Sequence, residues 1–183
     1  YWQLFTNRNS RIRQLNQLDD KMVAMTRYSV TDMLADHVVD SAKLKSERVF
    51  KVQINDVNVR LQMMLNNEMD AMFVTEPQAT LARLAKHKVL LDTRKMNWHM
   101  GVIAFREKPM KDVDRKRQYD VFVKAYNQAC DSINKNGIAR YAHLMEKYCR
   151  TRSAVLDSIP KTKFPHAVGP REKDVLRAEK YIK

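Results

Sequence analysis

Glycine is scarce in these 183 residues, three in all, and proline accounts for only five. That scarcity, beside 44% hydrophobic and 30% charged residues, excludes collagen-like, low-complexity and disordered chains. Cysteine is nearly absent. Cys130 and Cys149 stand neither in a CxxC pair nor beside clustered histidines, which excludes a zinc-type metal site. Both fall on apolar faces of predicted neighbouring helices, so one disulfide or two buried thiols fit the pattern equally. No run of about 18 apolar residues occurs, which excludes a membrane-spanning helix. The opening residues, YWQLFTNRNS, lack the basic, apolar and small-residue zones of a signal peptide, so any targeting segment is expected to have been removed or never present.

Enzyme signatures are missing as well. There is no GxGxxG, GxxxxGK[ST], HExxH or GxSxG, and His37, His87, His99, His143 and His166 are dispersed without ligand spacing. His37 reads as a core-edge residue and His87 as a partner for the negative end of its helix. What is plentiful is basic charge: 34 Lys and Arg against 21 Asp and Glu give +13. Residues 1–95 carry 15 basic and 11 acidic side chains and residues 96–183 carry 19 and 10, so the surplus lies mostly in the second half. Such a surplus suits nucleic acid or an anionic membrane, yet no helix-turn-helix, zinc cluster or aromatic RNP-type strand is present to read bases. We read it as solvated basic helix faces and expect no nucleic-acid partner.

The apolar pattern is that of an α/β protein. Residues 22–26 (MVAMT), 49–54 (VFKVQI), 71–75 (AMFVT) and 89–92 (VLLD) predict strands. Between them, residues 30–44 place Met33, Leu34, Val38 and Ala42 on one helical face, and residues 57–69 do so with Val57, Leu61, Met64 and Leu65. A third helix opens at Pro77, a position that tolerates proline, with Leu81, Ala82 and Ala85 facing inward. Short helical crossovers return the chain in the same direction, so a doubly wound, mainly parallel sheet is expected. The second half turns helical. After a strand at 100–105 (MGVIAF), Tyr119, Phe122, Val123, Tyr126, Cys130 and Ile133 form an apolar stripe that Asn136-Gly137 ends. Ile138, Tyr141, Ala142, Met145 and Tyr148 begin another, and a turn-rich segment at 160–170 leads to a last helix with Val175, Leu176 and Ile182 inward. The eleven methionines scatter through core-like positions and read as packing.

In a doubly wound sheet ligands bind beyond the carboxyl ends of the strands, where helix N-termini offer free N–H groups. Three loops qualify. Residues 27–32 combine Arg27, Tyr28, Ser29 and Thr31 beside a positive helix end, a set that can hold a small anion or polar ring. Ser29 with Asp32 also fits a helix-capping pattern. Asn55-Asp56 follows the second strand, where capping is the favoured role of Asp56. Thr75-Glu76-Pro77 follows the third, and Glu76 is equally a hydrogen-bond acceptor for a ligand or a capping carboxylate. Trp98-His99 falls in the connection between the halves, as a cleft aromatic or a packing wedge.

Residues 18–25 (LDDKMVAM), 28–32 (YSVTD), 56–71 (DVNVRLQMMLNNEMDA) and 75–77 (TEP) resemble the second lobe of a type II periplasmic solute-binding protein. The branch is the one that serves ABC importers of sulfonates, taurine, nitrate or thiamine-precursor pyrimidines. The resemblance runs over nearly the whole chain. It implies residues 1–17 as an incoming hinge segment, 18–97 as the α/β lobe two, and 98–183 as a return strand and C-terminal helices belonging to lobe one. It further implies a two-lobed clamp that closes on a small polar or anionic ligand, an ABC permease as membrane partner, and a periplasmic or lipid-anchored location. No cofactor, metal or catalytic residue is implied. Carried over by position, Ser29, Thr31 and the helix N-terminus behind them would meet the ligand, with Glu76 on the opposite loop; Tyr28, Asp56 and Trp98, read from the loops and the connection, complete the candidate site. The usual turn glycine before the strand is Asp20 here, and Asp tolerates turns. Most of lobe one is unaccounted for, so the apolar stripe of the helical half is expected to be left open or hidden in a dimer. Two alternatives carry different tests: the effector domain of a transcriptional regulator, marked by an upstream helix-turn-helix, and a pyrimidine-forming enzyme of the same fold, marked by a reactive Cys/His cluster.

Overall fold

The computed structural model describes residues 1–182 and divides into two compact units, Tyr1–Trp98 and the residues from His99 onward. Unit one is a five-stranded sheet in the order β3-β2-β4-β1-β5, formed by β1 (Gln3–Thr6), β2 (Lys21–Met25), β3 (Val49–Gln53), β4 (Ala71–Val74) and β5 (Lys88–Asp92). The connecting helices are α1 (Val30–Ser41), α2 (Val57–Leu65) and α3 (Gln78–Leu84). As the apolar runs predict, β2 pairs in parallel with β3, Lys21 opposite Val49 through Met25 opposite Gln53, and also with β4, Val23 opposite Ala71. The exception is β1, antiparallel to both β4 and β5. It reads as polar-ended, yet all four residues, Gln3, Leu4, Phe5 and Thr6, are buried, because a strand between two others has no exposed edge.

Strand alternation splits the core between the two faces of the sheet. Phe5, Ala24, Met72 and Val74 pack with Leu61 and Met64 of α2 and Ala79 and Ala82 of α3. Leu4, Val23, Met25 and Phe73 occupy the other face and are as fully buried. The crossover from β2 to β3 runs opposite to that from β3 to β4, so right-handed connections set α1, with Leu34, Ala35 and Val38 buried, on that second face. Pro77 caps α3 from just outside it rather than opening it, with Gln78 as the first helical residue.

Glycine scarcity leaves its mark on the helix ends. Lys43, Asn67 and Lys86, which follow α1, α2 and α3, all hold left-handed backbone, φ 54°, 63° and 65°. Each helix closes in the same way: the amide of the next residue (Leu44, Glu68 or His87) reaches back to the carbonyl of Val39, Met63 or Ala82, the paired bonds of a Schellman end.

The second unit contains α4 (Glu107–Met110), α5 (Val113–Asn136), α6 (Ala142–Cys149) and α7 (Glu172–Ile182). Residues 100–105, expected as a strand, take no regular structure: among the described residues no strand lies beside them to take their backbone hydrogen bonds, and a strand does not persist unpaired. The expected stripe of α5 is only partly covered. Cys130 is buried and Phe122 half exposed, while Phe105 stacks on Tyr119 and meets Phe122 edge-on. Along α5, Asn127, Asp131 and Asn134 bind Ala167, His166 and Phe164, laying the proline-rich segment against the helix. Both thiols are free. The last helix also departs from expectation: Val175, Leu176 and Ile182 are exposed. Its tie is polar, since Asp174 accepts from Arg171, Arg177 and the His99 amide, which hold its carboxyl down at about 2. No helix among the described residues is long and apolar enough to cross a membrane.

Candidate functional site

The carboxyl ends of the three parallel strands lie side by side, adjacent strands being about 4.8 Å apart. Each leads into a loop and then into the N-terminus of α1, α2 or α3. The loop after β2 is central. Ser29 caps α1 by accepting the Thr31 amide at 3.2 Å, while its own hydroxyl donates to the Thr26 carbonyl at 2.7 Å. Thr31 is fully buried, and its hydroxyl accepts the Thr26 amide at 2.9 Å. Both hydroxyls therefore hold the turn that ends β2. Asp32 does not complete the reciprocal capping pattern; its carboxylate takes the Tyr28 amide at 2.9 Å and Lys51 Nζ at 2.9 Å, with Arg27 Nε at 3.5 Å. Burial opposes its charge, but the Tyr28 amide, Lys51 and Arg27 together hold Asp32 below the usual carboxylate range.

This clasp projects Tyr28 outward. Its backbone is left-handed, φ 55°, the residue is 90% exposed, and the Arg27 guanidinium lies 5.8 Å from the ring centroid.

The flanking loops are more self-contained. Asp56 caps α2, accepting the Asn58 and Val59 amides at 2.7 and 3.2 Å. Glu76 is bound through one carboxylate oxygen to Arg83 and through the other to the amide and hydroxyl of Thr80 at 3.0 and 2.6 Å. Gln78 donates to Asn58 at 2.9 Å and joins the starts of α2 and α3. Trp98 stands apart from these loops. Its ring lies 4.7 Å from that of His37, two turns into α1 and about 12 Å along the helix from Ser29. The structure therefore brings Tyr28, Ser29, Thr31, Asp56 and Glu76 to one sheet edge and places Trp98 on the flank of α1. Among the described residues no cluster of His, Cys, Asp and Glu is arranged to hold a metal.

Sequence reasoning passed over Arg60 and Thr26. Arg60 is 1% exposed. Its guanidinium donates to the Ile54 carbonyl at 2.7 Å, the Phe73 carbonyl at 2.6 Å and the Thr26 hydroxyl at 2.6 Å, tying together the ends of β3, β4 and β2. Burial lowers its pKa, opposed by the charge of Asp56, and no carboxylate among the described residues pairs with it. A signal existed: Arg60 shares the inward face of α2 with Val57, Leu61 and Met64, where a cation is out of pattern.

No protein-family model matches the chain, and no curated protein does. Solved structures do. The periplasmic aliphatic sulphonate binding protein SsuA from Escherichia coli matches with a TM-score of 0.76 at 17% identity, over 99% of this chain and 59% of that one. The alkanesulfonate-binding protein SsuA from Xanthomonas axonopodis pv. citri, bound to MOPS, matches with a TM-score of 0.73 at 16% identity, over 99% and 62%. The fold is theirs. It is an α/β fold of the type II periplasmic-binding-protein kind, and the chain spans about 60% of the length of these two proteins. The same fold serves chemistry as well as binding, since the desulfurization enzyme DSZB matches with a TM-score of 0.63 at 12% identity over 99% of this chain and 68% of that one.

Proposed function

We propose that the chain is a solute-binding module that captures a small anion of the sulfonate kind at the carboxyl edge of the sheet and presents it to an ABC permease. The observation that carries the reading is the convergence of three helix N-termini on one edge whose buried cation, Arg60, has no carboxylate in salt-bridge contact among the described residues. Helix N-termini and a positive charge not paired with a carboxylate both favour an oxyanion. The likeness to two sulfonate-binding proteins over 99% of the chain supports the same ligand class. In this reading Tyr28 covers the ligand and Arg27 faces its charge. Ser29 and Thr31 shape the turn and leave the Val30 amide for the anion, and Asp56 and Glu76 hold the two flanking helix starts. Trp98 bears on the ligand only through α1. A periplasmic location with a lipid anchor and a permease partner completes the reading, and the exposed apolar residues of the second unit offer a contact for a dimer.

Calorimetric titration with ethanesulfonate, taurine, nitrate and a hydroxymethylpyrimidine tests this. Binding of a sulfonate with return of the intact ligand supports the module, and Tyr28→Ala weakens it severalfold. Absence of binding to all four overturns the reading. Conversion of the bound sulfonate to a desulfurized product would favour the enzyme reading that the likeness to DSZB supports.

A further inference from the structure

We propose that Thr26, polarised from behind by Arg60, is the side-chain donor through which this edge selects an anion over a neutral ligand of the same shape. The inference rests on the reading of the edge as an anion site and adds two residues to it.

Thr26 is the first residue beyond β2, the strand flanked by both parallel neighbours. It is half buried, and its hydrogen bonds are one-sided. The hydroxyl oxygen accepts from Arg60 Nη2 at 2.6 Å. The carbonyl accepts from Ser29, and the amide donates to Thr31. Among the described residues no acceptor takes the hydroxyl proton. A hydroxyl that accepts from a cation on one side becomes a stronger donor on the other, because hydrogen bonds in a chain polarise one another in a low dielectric. Arg60 cannot deliver its charge directly: it is 1% exposed, buried behind the Ile54 and Phe73 carbonyls and Thr26, to which three of its five N–H donors are bound. Thr26 is the one of its three partners with a proton to pass on. The two carbonyl bonds fix the guanidinium in place, so the hydroxyl is oriented before any ligand arrives and no ordering is required at the moment of binding. Arg60 is thus a positioning residue and Thr26 the contact.

The test is titration of the protein with ethanesulfonate and with ethyl methyl sulfone, a neutral analogue of similar size. Four variants are compared: Thr26→Val, Thr26→Ser, Arg60→Met and Arg60→Lys. Thr26→Val is expected to weaken sulfonate binding about tenfold to a hundredfold and to leave weak sulfone binding within about twofold, while Thr26→Ser restores the preference. Arg60→Met should lose the same preference, and combining it with Thr26→Val should add little, as for residues that act in series. Should Arg60→Met fail to fold by circular dichroism, Arg60→Lys, which keeps the charge and loses the fork, is expected to bind sulfonate with intermediate affinity. A structural role alone would weaken sulfone and sulfonate alike, or leave Thr26→Ser as poor as Thr26→Val; either result overturns the inference. Failure of the unmodified protein to bind ethanesulfonate overturns the reading of the edge and this inference together. Unchanged preference in a folded Thr26→Val protein overturns the inference alone.

Discussion

Arg83 on α3 donates through Nη1 to the side-chain oxygen of Gln3 at 2.7 Å, across eighty residues of sequence. The Gln3 amide in turn donates to Asp92 at 2.7 Å, and Arg94 closes on the same carboxylate at 2.9 Å. Through its second nitrogen Arg83 holds Glu76. One chain of polar contacts therefore locks the start of β1, the end of β5 and the loop that begins α3.

Asp92 is the acid-sensitive member of that chain. Burial works against its charge, yet Arg94 and Gln3 outweigh it and bring the carboxyl from 3.8 to about 2. Because the folded value is the lower one, the stabilisation is complete above pH 4 and drains away as the pH falls from about 4 toward 2. Screened at the rim of the sheet, it amounts to about 1–2 kcal/mol. Urea denaturation of Asp92→Asn at pH 7 should show that loss, and the difference from the unmodified protein should shrink toward pH 2.

His87 sets the opposite problem near neutrality. It is buried, its Nδ1 accepts the Arg8 amide at 3.1 Å, and its Nε2 has no hydrogen-bond partner among the described residues. Far from serving as a charged end for α3, it is kept neutral: burial and the nearby Arg8 lower its pKa below 6.5, against a smaller pull from the Thr6 carbonyl. The unfolded chain takes the proton first, so stability should hold steady above about pH 6.5 and decline below it. Melting temperatures measured from pH 8 to pH 5 should fall for the unmodified protein and less steeply for His87→Gln.

The left-handed lysines predict a gain. Lys43→Gly and Lys86→Gly, at φ 54° and 65°, relieve a crowded Cβ at a helix end, and each should stabilise the protein by about 0.5–1 kcal/mol. Ala85→Gly, one residue earlier at φ −76°, should destabilise it by a similar amount. Chemical denaturation of the three variants distinguishes backbone relief from a general effect of glycine.

On α2, Met64 and Val59 allow a core test within one helix. Met64 is fully buried against Phe5, Met72 and Val74, whereas Val59 is exposed. Met64→Ala should cost about 2–5 kcal/mol, and Val59→Ala less than about 0.5 kcal/mol.

Four strands and three helices of the first unit were legible because their signals are local: MVAMT and AMFVT are apolar at every position a doubly covered strand requires. The sign of β1 was not legible. Nothing in QLFT says that it runs against β4 and β5, since direction is set by partners about seventy and ninety residues away. At the edge of the sheet, Ser29 and Asp56 announced themselves as caps, because capping is a relation between near neighbours. Arg60 and Thr26 did not, since their bond spans 34 residues and a threonine that ends a strand looks like any other. Residues 100–105 show the converse: β-forming composition creates no strand without a neighbour to pair with.

The place of β1 also sets an order of events during synthesis. The two strands that must receive its four residues are made about seventy and ninety residues after them, when translation has passed Val74 and then Asp92. Until then the parallel pair β2–β3 can form from nearby sequence, while Leu4 and Phe5 wait exposed. Insertion of β1 closes the longest loop in the unit, so it is the step most sensitive to a pause or a holding chaperone, and the one at which a nascent chain of this protein is most open to capture.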